Sequence, residues 1–114
     1  MKDNVVKDKS LEFPVRIVNL YKFLVNEQKE FVMSKQILRS GTSIGANIRE
    51  AEQAQSRADF INKLNIALKE ANETEYWLEL LIRTEYITRE QYESINNDST
   101  EINKLLISII KDRK

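Results

Sequence analysis

The sequence predicts an all-α chain folded as an antiparallel, up-down-up-down four-helix bundle. Three observations carry that reading. The 114 residues include only two glycines and one proline, too few for the turns of a β-rich or Gly-loop protein. Apolar residues recur in alternating steps of three and four along most of the chain, the period of a buried helical face. The breaks between those runs are short and carry capping residues, so consecutive helices must fold back on one another.

Residues 1–11 are polar and aperiodic and read as a flexible tail, which leaves 12–114 as a single domain. Pro14 suits the first turn of a helix, where its missing N–H costs nothing. Phe13, Ile17, Leu20, Tyr21 and Leu24 then mark one apolar face, fading near Asn26. A second helix is expected from about residues 33–35, with Ser34 as its N-cap and Ile37, Gly41, Ile44, Ile48 and Ala51 as its stripe. Ala54-Gln55-Ser56 reads as a break, and Ser56 with Asp59 as a capping box opening the third helix. There the core stripe is Phe60, Leu64, Ala67, Leu68, Ala71, Leu78 and Leu81, interrupted by Thr74. Thr88 with Gln91 forms a second capping box. Tyr92, Ile95, Ser99, Ile102, Leu106 and Ile109 keep their phase through the poor helix formers at 96–100, so one last helix is expected.

Composition excludes much chemistry. With no His and no Cys there is no disulfide framework, no Cys or His zinc site, no thiol nucleophile and no imidazole base. The many carboxylates lack the His partners of a bundle di-iron site and sit in no ligand-spaced loop, so no metal or other cofactor is expected, and no small-molecule substrate. The longest charge-free stretch, nine residues at 40–48, is far short of the roughly 20 a membrane span needs. The N-terminus has early acids and no apolar h-region, so a cytoplasmic location with no membrane contact is the expectation.

The charges balance at 18 against 18, but unevenly. Residues 1–57 carry ten basic and seven acidic side chains, or +3, and residues 58–114 carry eight and eleven, or −3. Either this is ordinary solvated surface, or a dipolar subunit whose basic side meets a partner's acidic side or nucleic acid. Lys35, Arg39, Arg49, Arg57 and Lys63 are the candidate phosphate contacts. They are sparse and unaccompanied by an aromatic platform, though repetition in an oligomer would multiply a weak patch.

Gly41-Thr42-Ser43-Ile44-Gly45 matches the G-x-S-x-G elbow of serine hydrolases. That elbow needs a strand before it and a His base, and here the flanks are helical and His is absent, so catalysis is not expected. The helical reading is that Gly41 and Gly45 form a notch where another backbone comes close, since each interior Gly costs about 1 kcal/mol relative to Ala. Ser40, Ser43 and Asn47 border that notch. A hairpin turning near 55–56 sets Asn47 by Asn65, Ser43 by Leu68 and Asn72, and Arg39 by Glu73 or Glu75. A polar network between the second and third helices follows, with solvent exposure of the same groups as the alternative. The run Tyr76-Trp77-Leu78-Glu79-Leu80-Leu81-Ile82 is apolar around most of its circumference and needs cover on more than one side. Tyr76, Trp77 and Leu80 therefore pack under the first or fourth helix, or at a subunit interface.

The run from Gln36 through Arg39-Ser40-Gly41-Thr42-Ser43-Ile44-Gly45-Ala46-Asn47-Ile48-Arg49-Glu50 to Ala51 resembles the signature of a bacterial family. These are the four-helix-bundle proteins encoded within intervening sequences of 23S ribosomal RNA genes. Ala71-Asn72-Glu73-Thr74-Glu75-Tyr76-Trp77-Leu78-Glu79-Leu80-Leu81 is similar to that family's second block, and Phe60-Ile61-Asn62-Lys63-Leu64 also fits. The resemblance implies a homopentameric ring with no enzymatic activity, of a kind sometimes labelled a small-subunit ribosomal protein. A related branch is the accessory protein of diversity-generating retroelements, a basic pentamer that binds nucleic acid; this chain departs from it in its neutral balance. The expected partners are thus further copies of the chain, with structured RNA or a nucleic-acid-associated protein second. A purely structural or protein-binding bundle is the alternative.

Overall fold

Four helices account for nearly all of the computed structural model, which describes residues 2–113. They are α1 (Lys2–Asn26), α2 (Met33–Glu52), α3 (Arg57–Arg83) and α4 (Arg89–Arg113). α1 and α3 each pack on both α2 and α4, while the diagonal pairs stay apart, as up-down-up-down order requires. The result is a rod of 44 × 21 × 19 Å. Its core holds the residues that the helical period selects: Phe13, Ile17 and Leu24 from α1, Ile37 and Ile44 from α2, Leu78 and Leu81 from α3, Ile102 and Leu106 from α4, all buried.

α1 departs from expectation at its start. It begins at Lys2, so residues 2–11 are helical and not a tail; residue 1 lies outside the described residues. The apolar stripe continues upstream through Val6 and Ser10, 4% and 7% exposed, and a serine at a stripe position hides that continuation. Pro14 consequently lies in the interior of α1 and not in its first turn.

The entry to α2 is a second correction. Ser34 does not cap it; the cap position is Val32, which supplies no side-chain bond. Glu30 does this from outside the helix. Its carboxylate, in a residue 7% exposed, accepts the N–H groups of Val32, Met33 and Ser34 at 3.2, 2.9 and 2.7 Å. One anion thus satisfies three N-terminal donors and sits at the positive end of the helix dipole.

The other two entries follow expectation. Ser56 Oγ accepts the Asp59 N–H at 3.1 Å. Thr88 and Gln91 make the full reciprocal box, with Thr88 N–H donating to Gln91 at 2.8 Å and Gln91 N–H donating to Thr88 at 3.1 Å. α4 runs unbroken through residues 96–100. The α1–α2 and α3–α4 connections each contain a residue in the left-handed region, Lys29 (φ 55°) and Glu85 (φ 66°). They are tied at one end of the rod by Gln28, whose side-chain amide donates to the Tyr86 carbonyl at 2.8 Å.

Candidate functional site

The glycine notch is real, and it faces α1. A Cβ built on Gly41 would lie 2.8 Å from both γ carbons of Ile17, and one on Gly45 would lie 2.6 Å from the carbonyl oxygen of Ser10. The second contact follows from Pro14. Proline has no N–H to return to the carbonyl four residues back, so the Ser10 oxygen lacks its ordinary helical donor. It rests against Gly45, which has no side chain to exclude it. A groove of about 320 Å³ opens beside this contact, between Leu11 and Pro14 on α1 and Ala46 and Arg49 on α2. Ser43, the would-be nucleophile, donates its hydroxyl to the Arg39 carbonyl at 2.7 Å within α2. Among the described residues nothing stands by it that could activate it, and the segment is continuous helix and no elbow.

The seam between α2 and α3 is polar, as expected, but only part of the expected set makes it. Arg39 pairs with Glu73 and reaches Glu70 at 3.3 Å. The Ser40 and Thr74 hydroxyls meet at 2.9 Å, both residues fully buried, which accounts for the Thr74 interruption of the core stripe. The remaining members do not join. Asn47 donates to the Ser43 carbonyl at 2.9 Å inside α2, and Asn65 and Asn72 are exposed on the outer face of α3. Side chains this short satisfy themselves on their own helix or in water before they span two helices. The register is nevertheless the one that a turn at 55–56 dictates.

Trp77, partly buried against the core, joins this seam too. Its indole N–H donates to Glu73 at 3.0 Å, extending the Arg39–Glu73 pair into a three-residue chain. That indole bond first, and then Arg39, holds the Glu73 carboxyl below its ordinary range, while Glu73 raises the Arg39 guanidinium further. Tyr76 stands 55% exposed beside it, the two rings edge to face at 5.0 Å, and Leu80 is half-buried.

Of the five candidate cations, two are committed to ion pairs: Arg39, as above, and Lys63 with Glu50 at 3.3 Å. Lys35, Arg49 and Arg57 are exposed and carry no ion pair among the described residues. At 3.6 residues per turn, Lys35, Arg39 and Arg49 fall within an arc of roughly 80° on the outer face of α2. Arg57 lies apart from them, at the start of α3.

Sequence reasoning missed one surface. Leu11 and Val15 are 53% and 59% exposed on the outer face of α1, and half-buried Val18 continues the line at helical spacing. The signal was present as an apolar i, i+4, i+7 set, but the upstream half fell in the segment read as a tail. Among the described residues no cluster of three or more carboxylates could hold a metal ion, and no helix is long and apolar enough to cross a membrane.

The chain matches the family model described as 23S rRNA-intervening sequence protein over residues 2–108. Its fold also matches a crystal structure of a protein with unknown function from the S23 ribosomal protein family of Bacteroides thetaiotaomicron VPI-5482. The two chains are 99% identical with a TM-score of 0.97, over 97% of this chain and 99% of that one. No curated protein matches.

Proposed function

The chain belongs to the 23S rRNA-intervening sequence protein family, and from that premise we propose that it is a non-enzymatic subunit that assembles with copies of itself into a homopentameric ring. The observation that carries this reading is the exposed apolar line on α1. Leu11 and Val15 lie side by side in water on a helix whose opposite face is already buried in the core. The groove next to them is lined by Arg49 of α2 and Lys7 of α1. The acidic excess of the chain lies on the other half, residues 58–114. One face that is apolar and basic, and a different face that is acidic, suit head-to-tail contacts that close into a ring.

Light scattering on the purified protein tests the assembly, with Val15→Glu as the discriminating variant. A pentamer for the wild type and a monomer for the variant, both with unchanged helical content, is the expected result. A wild-type monomer at micromolar concentration overturns the proposal.

RNA contact is the second reading, favoured by the stripe that Lys35 and Arg49 form on α2. Five copies of a two- or three-cation patch would bind by avidity, and each phosphate contact adds about 0.7–0.9 to the logarithmic salt slope. Binding to a structured RNA that weakens with salt, with a slope that drops for Arg49→Gln, supports this contact. No binding at low salt leaves the protein-binding scaffold as the function.

A further inference from the structure

We propose that residues 2–10 of α1 form a strap, hinged at Pro14, that opens and closes over one end of the bundle as a unit while the rest of the fold stays closed. Three features build it. Pro14 removes the backbone bond that would tie the Ser10 carbonyl to the helix beyond it, so strap and bundle are joined by a helix with a missing rung. The closed position is fixed by fit: the Ser10 oxygen lies where a Cβ on residue 45 would stand, 2.6 Å away, so only glycine admits it. The grip is weak and mostly ionic. Among the described residues, Val6 is the strap's one buried large side chain, and Lys7–Glu52 (3.5 Å) and Lys9–Glu101 hold its two flanks, all four side chains being 31–58% exposed.

Those pairs place the strap across the last turn of α2 and beside α4. Closed, it adds Val6 to the same apolar cluster as Ile48, Ala51, Ile109 and Ile110. Open, it leaves those residues to water or to a partner. Salt is the natural control, because exposed pairs are screened whereas the apolar core is not. A detached helix this short is marginal in water, so opening also unwinds it.

Hydrogen exchange followed by mass spectrometry on the full chain tests the strap. Amides up to residue 10 are expected to exchange at least about tenfold faster than those of residues 17–24 in the same helix, with the step falling at Pro14. Raising NaCl from about 0.05 to 0.5 M should widen that step severalfold. Gly45→Ala should drive strap exchange toward its unprotected limit and leave α3 unchanged. Lys7→Gln/Lys9→Gln, which cannot disturb the notch, should reproduce the effect of salt. Equal protection on both sides of Pro14, a smooth gradient from the terminus with no step, or wild-type rates that salt does not change and the double variant does not raise would each overturn the strap. Lys7 and Ser10 also line the groove assigned to the ring, so the mass in solution is measured on the same samples and strap exchange is compared only where that mass is unchanged.

Discussion

Single side chains decide how α2 begins and how α3 is held, and neither role is written in residue type alone. Glu30 is an acidic residue in a charged loop, and nothing in the sequence separates it from Glu27 three positions earlier. It becomes the cap because Lys29 turns into the left-handed region and swings its neighbour under the helix start. Ser34, the residue that local preference selects, is already inside the helix. Glu73 was legible as one of two candidate partners of Arg39 from the hairpin register, with Glu75 the other, but its bond to Trp77 was not, since an i, i+4 indole–carboxylate contact competes with many rotamers. The pair gives a pH prediction. Glu73 is held below its ordinary pKa, so its contribution is present above about pH 4.3, where the unfolded carboxylate is also charged. It is lost as pH falls through the lower folded value. Trp77 is the only tryptophan, and its fluorescence should therefore change with a midpoint below about 4.3. Glu73→Gln should abolish the change, and a wild-type midpoint at or above the ordinary glutamate value contradicts the assignment.

Between elements, the sequence was most informative where the period of apolar residues was uninterrupted. It placed the C-terminal end of α1 and the starts of α2, α3 and α4 correctly, together with the Ser56 cap and the Thr88–Gln91 capping box. The N-terminal half of α1 was lost because Ser10 and Pro14 break the pattern that Val6 and Phe13 otherwise continue. The two glycines pointed to a close approach without naming the helix that makes it. The structure answers with α1, and Gly41 offers the cleaner test. Alanine there gains about 1 kcal/mol of helix propensity. Its Cβ, however, would meet both γ carbons of Ile17 at 2.8 Å, and a β-branched side chain in a helix has no second rotamer to retreat to. Overpacking of this kind costs about 1–3 kcal/mol, so Gly41→Ala should be destabilising on balance by about 1 kcal/mol. Urea denaturation measures it directly. Ile17→Ala should then cost less in the Gly41→Ala background than in the wild type, because the two sites share one space. A more stable Gly41→Ala protein would mean that α1 and α2 can separate freely.

At the level of the whole molecule, a rod of 44 × 21 × 19 Å with a short apolar line exposed on α1 has the shape of a stave, and two forces could join such staves. The split of +3 against −3 attracts opposite faces, and the α1 line buries apolar area. They differ in range and in salt response. At about 1 M salt the Debye length is about 3 Å, so charges on opposing surfaces no longer steer or hold, while apolar burial persists. A stable interface needs about 1,000 Å² in all, more than Leu11, Val15 and Val18 can supply, so charged residues must surround them whichever force dominates. If the apolar line is the anchor and the charges form the rim, the mass by light scattering should be the same at about 0.1 and 1 M NaCl, with only the association rate falling. Dissociation to monomer in high salt would reverse that assignment and make the charge split the anchor. In that case Arg49→Glu should break the assembly more effectively than Val15→Glu, since it would replace attraction with repulsion at the edge of the groove.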